Sequence, residues 1–204
     1  MYFLFKRYLD IILVIAISPL IVSLGIFISL IILFTMGRPI FFVQTRIGFQ
    51  NQPFKMIKFR SMHQIINLKK QTAKDDAQRL TYFGRLLRSS SLDELPEFIN
   101  VLMGQMSIVG PRPLLSEYLP YYSKKQIRRH DVLPGITGWA QVNGRNTITW
   151  NEKFDLDLWY VDNVKLKVDL KILFLTLGKV FCRSDVSPSD SEIMPRFDQL
   201  DDEL

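Results

Sequence analysis

The chain has 204 residues, of which 48% are hydrophobic and 23% charged, which is enough for one buried core and a membrane-associated segment. Its single cysteine, Cys182, excludes an intramolecular disulfide, and its two histidines are too few and too separated for a histidine-based metal site. The net charge of +6 favours an anionic lipid surface or a phosphorylated substrate, and not nucleic acid, because no zinc-ligand spacing, RNP-like motif or basic zipper occurs.

Residues 11–36 form an uncharged apolar run near the N-terminus. A straight helix of this length would measure roughly 39 Å, enough to cross a bilayer. Ser18 and Pro19 lie near the middle of the run, where proline removes a backbone hydrogen bond and predicts a break or kink. Basic residues flank both ends, at Arg7 and Arg38 among others, which favours a cytoplasmic position for both. These residues leave a spanning helix and a re-entrant helix–break–helix equally open.

Short elements are predicted along the rest of the chain. Residues 41–45 and 54–59 favour β structure on either side of a turn, as in a hairpin. The polar stretch 63–79 is typical of a solvated loop or a frayed helix. Helices are predicted over residues 81–90, 93–104, most of 114–130, 150–162 and 166–181.

Two later segments lack a regular pattern. Residues 133–146 are dense in turn-forming residues, and we expect a functional loop there. From Ser184 the chain is acidic and polar, which predicts a poorly ordered tail. The helix over 166–181 is too apolar for a soluble surface, so it should face the core or a membrane interface.

An adjacent acid pair, Asp93-Glu94, lies where the helix over 93–104 is predicted to begin. Ser91 and Glu94 match a capping box, which would explain both residues structurally. The alternative is chemical: a helix N-terminus would keep Asp93 ionised and attract a phosphate. An ionised aspartate can attack phosphorus, and two neighbouring carboxylates suit Mg²⁺.

Basic residues near the acid pair favour the chemical alternative. Arg112 lies between two prolines that restrict its backbone, and Lys58, Arg88 and Arg145 are further candidates for phosphate contacts. The chain has neither a glycine-rich phosphate loop ending in Gly-Lys-Ser/Thr nor a dinucleotide-binding glycine pattern, so ATP-type and dinucleotide chemistry lack support.

Taken together, these motifs resemble the bacterial sugar transferases, the small monotopic phosphoglycosyl transferases. The resemblance covers residues 6 to about 170 in family order. It rests on Lys6-Arg7 with Asp10, Ser18-Pro19, Lys-Phe-Arg-Ser-Met (58–62), Arg88 with Ser-Leu-Asp-Glu-Leu-Pro (91–96), Gly-Pro-Arg-Pro (110–113) and Pro-Gly-Ile-Thr-Gly-Trp-Ala-Gln-Val-Asn-Gly-Arg (134–145).

The resemblance implies an α/β, mostly helical fold. A re-entrant membrane helix–break–helix would occupy residues 1–37. A small cytoplasmic catalytic domain with interfacial amphipathic helices and a short β-hairpin would occupy 38–183. A flexible acidic tail would follow over 184–204. The catalytic domain would lie on the cytoplasmic face of the bacterial inner membrane.

The resemblance also implies a two-step reaction. Asp93 would attack the sugar-linked phosphorus of a UDP-sugar, release UMP and carry the phosphosugar, which undecaprenyl phosphate would then accept. Glu94, with Asp93, would help to bind Mg²⁺ and would assist proton transfer. The remaining residues would bind substrate: Lys58, Arg88 and Arg112 through its phosphates, and Gln141 and Arg145 from the substrate loop.

Several points stay open on the sequence alone. The nearest likeness implies an N-acetylated amino sugar such as diacetylbacillosamine on the donor. A catalytically idle, membrane-bound scaffold or polyprenyl-phosphate-binding protein is the alternative from another functional class. Membrane lipids are expected partners, and a homodimer is one of the oligomeric states that the sequence leaves open.

Overall fold

The computed structural model describes residues 2–63, 79–144, 148–182 and 197. Within this part of the chain, helix α1 (Tyr2–Met36) is the one helix long and apolar enough to cross a membrane, judged by length and composition. It stays helical through Pro19, so the expected break does not divide it into two helices. The Ser18 hydroxyl explains this continuity, because it donates at 2.8 Å to the Ile15 carbonyl that Pro19 leaves without an amide donor.

Helix α1 packs against the rest of the protein on both sides of Pro19. Before the proline, Val14 lies in the largest buried apolar cluster. After it, Ile28 and Ile32 pack in a second cluster with Phe59. The middle of the helix faces outward, so that Leu20 is 71% exposed. Both halves of α1 therefore contact the same folded body.

The predicted hairpin is confirmed. Strands β1 (Phe41–Ile47) and β2 (Pro53–Phe59) are antiparallel and are joined through a 3₁₀ helix, Phe49–Asn51. Arg60 follows β2 directly and is buried. Its guanidinium donates to the carbonyls of Met36 and Gly37, both at 2.6 Å, and so caps carbonyl groups at the C-terminus of α1.

The segment around the acid pair differs from the single helix predicted over 93–104. Helix α2 (Tyr82–Ser89) confirms the helix predicted over 81–90, and the Thr81 side chain caps it by accepting from the Gly84 amide. A 3₁₀ helix follows over Leu92–Glu94, and α3 begins only at Glu97 and ends at Leu102. Pro96 stands directly before α3, in the first-turn region where a missing N–H costs little.

A parallel strand pair was not predicted. Strand β3 (Ser107–Val109) pairs with β4 (Gly135–Thr137), which lies inside the stretch expected to be a loop. Helix α4 (Trp139–Asn143) follows β4 at once, so residues 133–144 are mostly regular. The helix predicted over 114–130 consists of two 3₁₀ helices, Ser116–Tyr121 and Gln126–His130.

Two longer helices complete the fold, as predicted. Helix α5 (Trp150–Asp162) starts with a capping box at Thr149, and α6 (Leu166–Cys182) follows after a short turn. Helix α6 buries Ile172 in the largest cluster and exposes Phe174 on the opposite side.

Two predicted segments lie largely outside the described residues. These are 64–78, which falls within the polar stretch, and almost all of the tail after Ser184. The one described residue of that tail, Phe197, packs among aromatic rings, with its centroid 5.2 Å from that of Phe154 and 5.3 Å from that of Trp150.

Candidate active site

Glu94 lies at the centre of an ion-pair network. Its Oε1 atom accepts from the Lys58 ammonium at 2.7 Å, and Arg112 donates to both of its carboxylate oxygens. The capping-box interpretation is wrong, because Ser91 has a left-handed backbone (φ 57°) and its side chain makes no cap hydrogen bond. Two distant segments, β2 and the loop after β3, thus supply the cations that hold this carboxylate.

The charge of Glu94 is set by these two cations. Burial would raise the pKa of its carboxyl, but the nearby charges of Arg112 and Lys58, with their hydrogen bonds, outweigh burial and lower the pKa below its usual range. Glu94 is therefore ionised at neutral pH. It is a weak proton acceptor as long as both cations remain in place.

Asp93 differs from its neighbour because no described residue donates a hydrogen bond to its carboxylate or forms an ion pair with it. Burial and the charge of Glu94 raise its pKa, while Lys58, Arg112 and Arg88 act against this rise. We expected a helix N-terminus to stabilise the ionised form, but α3 starts at Glu97 instead. The lone pairs of the Asp93 carboxylate are thus not engaged by any described donor, which suits a nucleophile toward phosphorus.

Arg88 extends from α2 beside the acid pair. Its Nε atom donates to the Ser61 hydroxyl at 2.9 Å. Gly84 permits this contact, since a Cβ atom at that position would lie 1.8 Å from the Ser61 carbonyl oxygen. The packing of α2 on the segment after β2 therefore orients Arg88, whose side chain remains exposed.

Sequence reasoning missed a third carboxylate, Glu97. It is only 2% exposed, and its Oε1 atom lies 3.1 Å from the Lys58 nitrogen. Burial and the charge of Glu94 raise its pKa to about 7. The sequence signal that could have revealed Glu97 is its place at the end of Ser-Leu-Asp-Glu-Leu-Pro-Glu (91–97), three residues after Glu94. It was missed because a glutamate within a predicted helix is usually an ordinary helical residue.

A cavity of about 180 Å³ opens next to this network. Glu94 and Arg112 contribute to one wall, while α4 and α5 form the other. The lining residues are Ser91, Glu94, Arg112, Leu114, Ala140, Gln141, Lys153 and Asp157. Gln141 thus occupies the cavity wall, whereas Arg145 lies outside the described residues.

Lys153 and Asp157 are also lining residues that sequence reasoning missed. They lie four residues apart in α5 and so share one helix face, which is the pattern that could have revealed them. The Lys153 nitrogen lies 4.5 Å from the centroid of the Trp150 ring. Burial lowers its pKa to about 8.

The acid pair offers a limited metal site. No group of three or more metal-ligating acidic, His or Cys side chains occurs within the described part of the chain. Both oxygens of Glu94 already accept from Arg112, and Lys58 also donates to one of them. Mg²⁺ commonly binds through one or two carboxylates together with substrate phosphates, so Asp93 and Glu94 fit that ion only with phosphate oxygens present.

The chain is similar to one protein family and to several named proteins. A family model described as "Bacterial sugar transferase" matches residues 1–183. An uncharacterized sugar transferase of Bacillus subtilis, EpsL, is 51% identical over 83% of this chain and 87% of its own length. The UDP-glucose:undecaprenyl-phosphate glucose-1-phosphate transferase of Escherichia coli is 43% identical over 87% of this chain.

A third relative carries a different sugar in its name. It is the UDP-N-acetylgalactosamine-undecaprenyl-phosphate N-acetylgalactosaminephosphotransferase of Aeromonas hydrophila, 35% identical over 88% of this chain. The match spans 40% of the length of the Escherichia coli protein and 44% of the Aeromonas protein.

Proposed function

Because this chain belongs to the bacterial sugar transferase family, we propose that it transfers a sugar phosphate from a UDP-sugar to undecaprenyl phosphate and releases UMP. The observation that carries the proposal is the contrast within the acid pair. Asp93 has no described bonding partner, whereas Glu94 is held by two cations at the mouth of a cavity. The names of the Escherichia coli and Aeromonas relatives support the lipid acceptor.

In the first step, an Asp93 oxygen attacks the phosphorus that carries the sugar. The new Asp93–phosphorus bond forms as the bond from this phosphorus to the bridging oxygen breaks, and UMP leaves with that oxygen. Lys58 and Arg112 stabilise the developing charge by turning part of their hydrogen bonding from Glu94 to phosphate oxygens. The product is a phosphosugar linked to the aspartate.

In the second step, an oxygen of undecaprenyl phosphate attacks the same phosphorus and frees Asp93. Any proton on the lipid phosphate passes to a carboxylate, a role that we assign to Glu94. Its pKa rises once the two cations contact substrate, because their charges are what lower it. Asp93 and Glu94 would hold Mg²⁺ together with donor phosphates, and the bound ion would help to neutralise charge on the diphosphate.

We further propose that α1 enters and leaves the bacterial inner membrane by its cytoplasmic face. Val14 and Ile28 lie on opposite sides of Pro19, yet both pack on the same folded body. A helix that crossed the bilayer could not bring both halves to a domain on one side of it. The exposed apolar residues Leu102 and Met103 of the α3 end, and Leu170 and Phe174 of α6, would lie at the lipid interface.

The sugar is the least specified part of the proposal. We assign an N-acetylated amino sugar, in keeping with what the nearest likeness of the sequence implies and with the N-acetylgalactosamine named for the Aeromonas relative. Glucose is the competing candidate, since it is named for relatives that are 43–45% identical. A panel of UDP-sugars, scored by initial rates of UMP release, separates the two.

Intact-mass measurement tests the central step. The purified protein is mixed with Mg²⁺ and each UDP-sugar in the absence of lipid acceptor, and the mass is recorded. We expect an added mass equal to one phosphosugar, and its loss when undecaprenyl phosphate is supplied. Rapid turnover with no such species, under conditions that trap acyl phosphates, would refute the covalent mechanism.

A further inference from the structure

One buried guanidinium connects the cavity wall to the loop that carries Arg112. Arg129 is 2% exposed and donates to the Asp157 carboxylate through Nη2 at 2.7 Å and Nε at 3.1 Å. The same Nη2 atom donates to the backbone carbonyl of Arg112 at 2.7 Å. Arg129 therefore joins the 3₁₀ helix Gln126–His130, helix α5 and the loop after β3.

Other hydrogen bonds hold this loop on either side of Arg112. After it, Arg46 donates to the Pro113 carbonyl at 3.4 Å and the Ile47 amide donates to the Leu114 carbonyl at 3.2 Å. Arg112 lies between Pro111 and Pro113, which have no N–H to donate. The Pro111 carbonyl accepts from the Gly135 amide at 3.0 Å, which fixes the start of the loop. The Arg112 carbonyl is the next acceptor along the chain, and it accepts from Nη2 of Arg129.

The Arg112 side chain is 43% exposed, so burial alone does not restrict its direction. Its guanidinium nevertheless reaches both oxygens of Glu94. The hydrogen bonds thus run without interruption from Asp157 through Arg129 and Arg112 to Glu94.

Stability alone does not account for the Arg129–Asp157 pair. Both residues are 2% exposed, and the cost of desolvating two charges can equal or exceed their mutual attraction. Asp157 also lines the cavity, so the pair lies at the site itself and not in a remote part of the core.

We propose that Arg129 and Asp157 are positioning residues that fix the main chain at Arg112, so that its guanidinium points at Glu94 and at a substrate phosphate. This role rests on the proposed sugar-phosphate transfer. Neither residue touches the reacting atoms; they act through Arg112.

A double-mutant cycle with Arg112 tests this role. Arg129→Lys keeps the charge opposite Asp157, but its single nitrogen replaces a fork that bonds the carboxylate and the Arg112 carbonyl together. We expect kcat/KM for UMP release to fall about 10- to 100-fold, since small displacements of a positioned group cost that much. In an Arg112→Gln background, Arg129→Lys should lower kcat/KM by less than about 3-fold, because position 112 then carries no guanidinium to be positioned.

The controls separate positioning from general damage. Arg128→Lys alters the neighbouring residue in an exposed pair with Asp162 and should leave the rate unchanged. Melting temperatures are measured for every variant, since a purely structural role would lower the rate equally in both backgrounds. If Arg129→Lys does not fold, Asp157→Asn replaces it in the same cycle, with the same expectation.

Equal losses in both backgrounds, or an unchanged rate in Arg129→Lys, would overturn the positioning role while the wild type remains active. A wild-type protein that releases no UMP from any donor would instead overturn the proposed function, and this role with it.

Discussion

The Lys58 ammonium lies between two carboxylates, 2.7 Å from Glu94 and 3.1 Å from Glu97. Lys58 comes from β2, whereas Glu94 ends the 3₁₀ helix after α2 and Glu97 begins α3. A single cation thus joins the hairpin to the acid-bearing segment, and it sets the charge of that segment next to Asp93.

Replacing this cation should impair catalysis strongly. We expect Lys58→Met to lower kcat for UMP release about 100- to 1,000-fold, since a preorganised donor for the developing charge is lost. Lys55→Met is the matched control, because Lys55 lies on the same strand with an exposed side chain. Both variants are measured for UMP release and for melting temperature. Near-normal activity of Lys58→Met would contradict the role given to this residue.

Asp93→Asn should abolish the reaction, because an amide oxygen is a poor nucleophile toward phosphorus. The expected loss is at least about 1,000-fold in kcat, with no phosphosugar adduct by intact mass. Asp131→Asn, an exposed acid elsewhere, should behave as wild type. A variant that retained more than a tenth of wild-type turnover would show that Asp93 does not form the covalent bond.

Glu97→Gln should change the pH dependence of stability. The folded-state pKa of about 7 exceeds the ordinary value of 4.5, so between these values the folded protein binds more protons than the unfolded chain. Wild-type stability therefore loses this contribution as pH rises from about 4.5 to 7, and the loss is complete above that window. Glutamine cannot ionise, so its melting temperature lacks this pH dependence. The difference in melting temperature, variant minus wild type, should therefore increase by about 5 °C as pH rises from 5 to 7.

Thermal melts of the two proteins at half-unit pH steps measure this difference, in which the other titrating groups largely cancel. A constant offset between pH 5 and 8 would show that Glu97 titrates as an ordinary carboxyl does.

Cysteine labelling should place both ends of α1 on one side of the membrane. In a Cys182→Ser background, Leu4→Cys and Arg38→Cys lie near the two ends, and Leu20→Cys lies at its exposed middle. A membrane-impermeant maleimide added to inside-out vesicles should modify the first two and spare the third. Labelling of the two ends from opposite sides would establish a spanning helix instead.

Much of the fold could be predicted because its local signals are strong. Helices α5 and α6 are long, with 13 and 17 residues and no internal proline, and the hairpin has two β-favouring runs around a turn. Strands β3 and β4 contain three residues each, too few for a periodic pattern, and they pair across 28 residues of chain. Only the folded chain brings them together.

The site was predictable in its residue types but not in its contacts. The acid pair and its neighbouring cations are visible in the sequence, and Glu94 does contact Lys58 and Arg112. The competing local interpretation, a cap by Ser91, fails because the chain takes a left-handed turn there. The α5 wall was missed since Lys153 and Asp157 look like ordinary polar helix residues.

The way α1 packs bears on any attempt to make a soluble fragment. Deleting residues 1–37 would remove Val14 from the largest cluster, and Ile28 and Ile32 from the second. It would also strip Asp10 from the Ser107 hydroxyl that donates to it at 2.6 Å. The remainder would expose apolar surface where the helix had lain, so such a truncation should aggregate, and crystallisation trials call for detergent or nanodiscs around the intact chain.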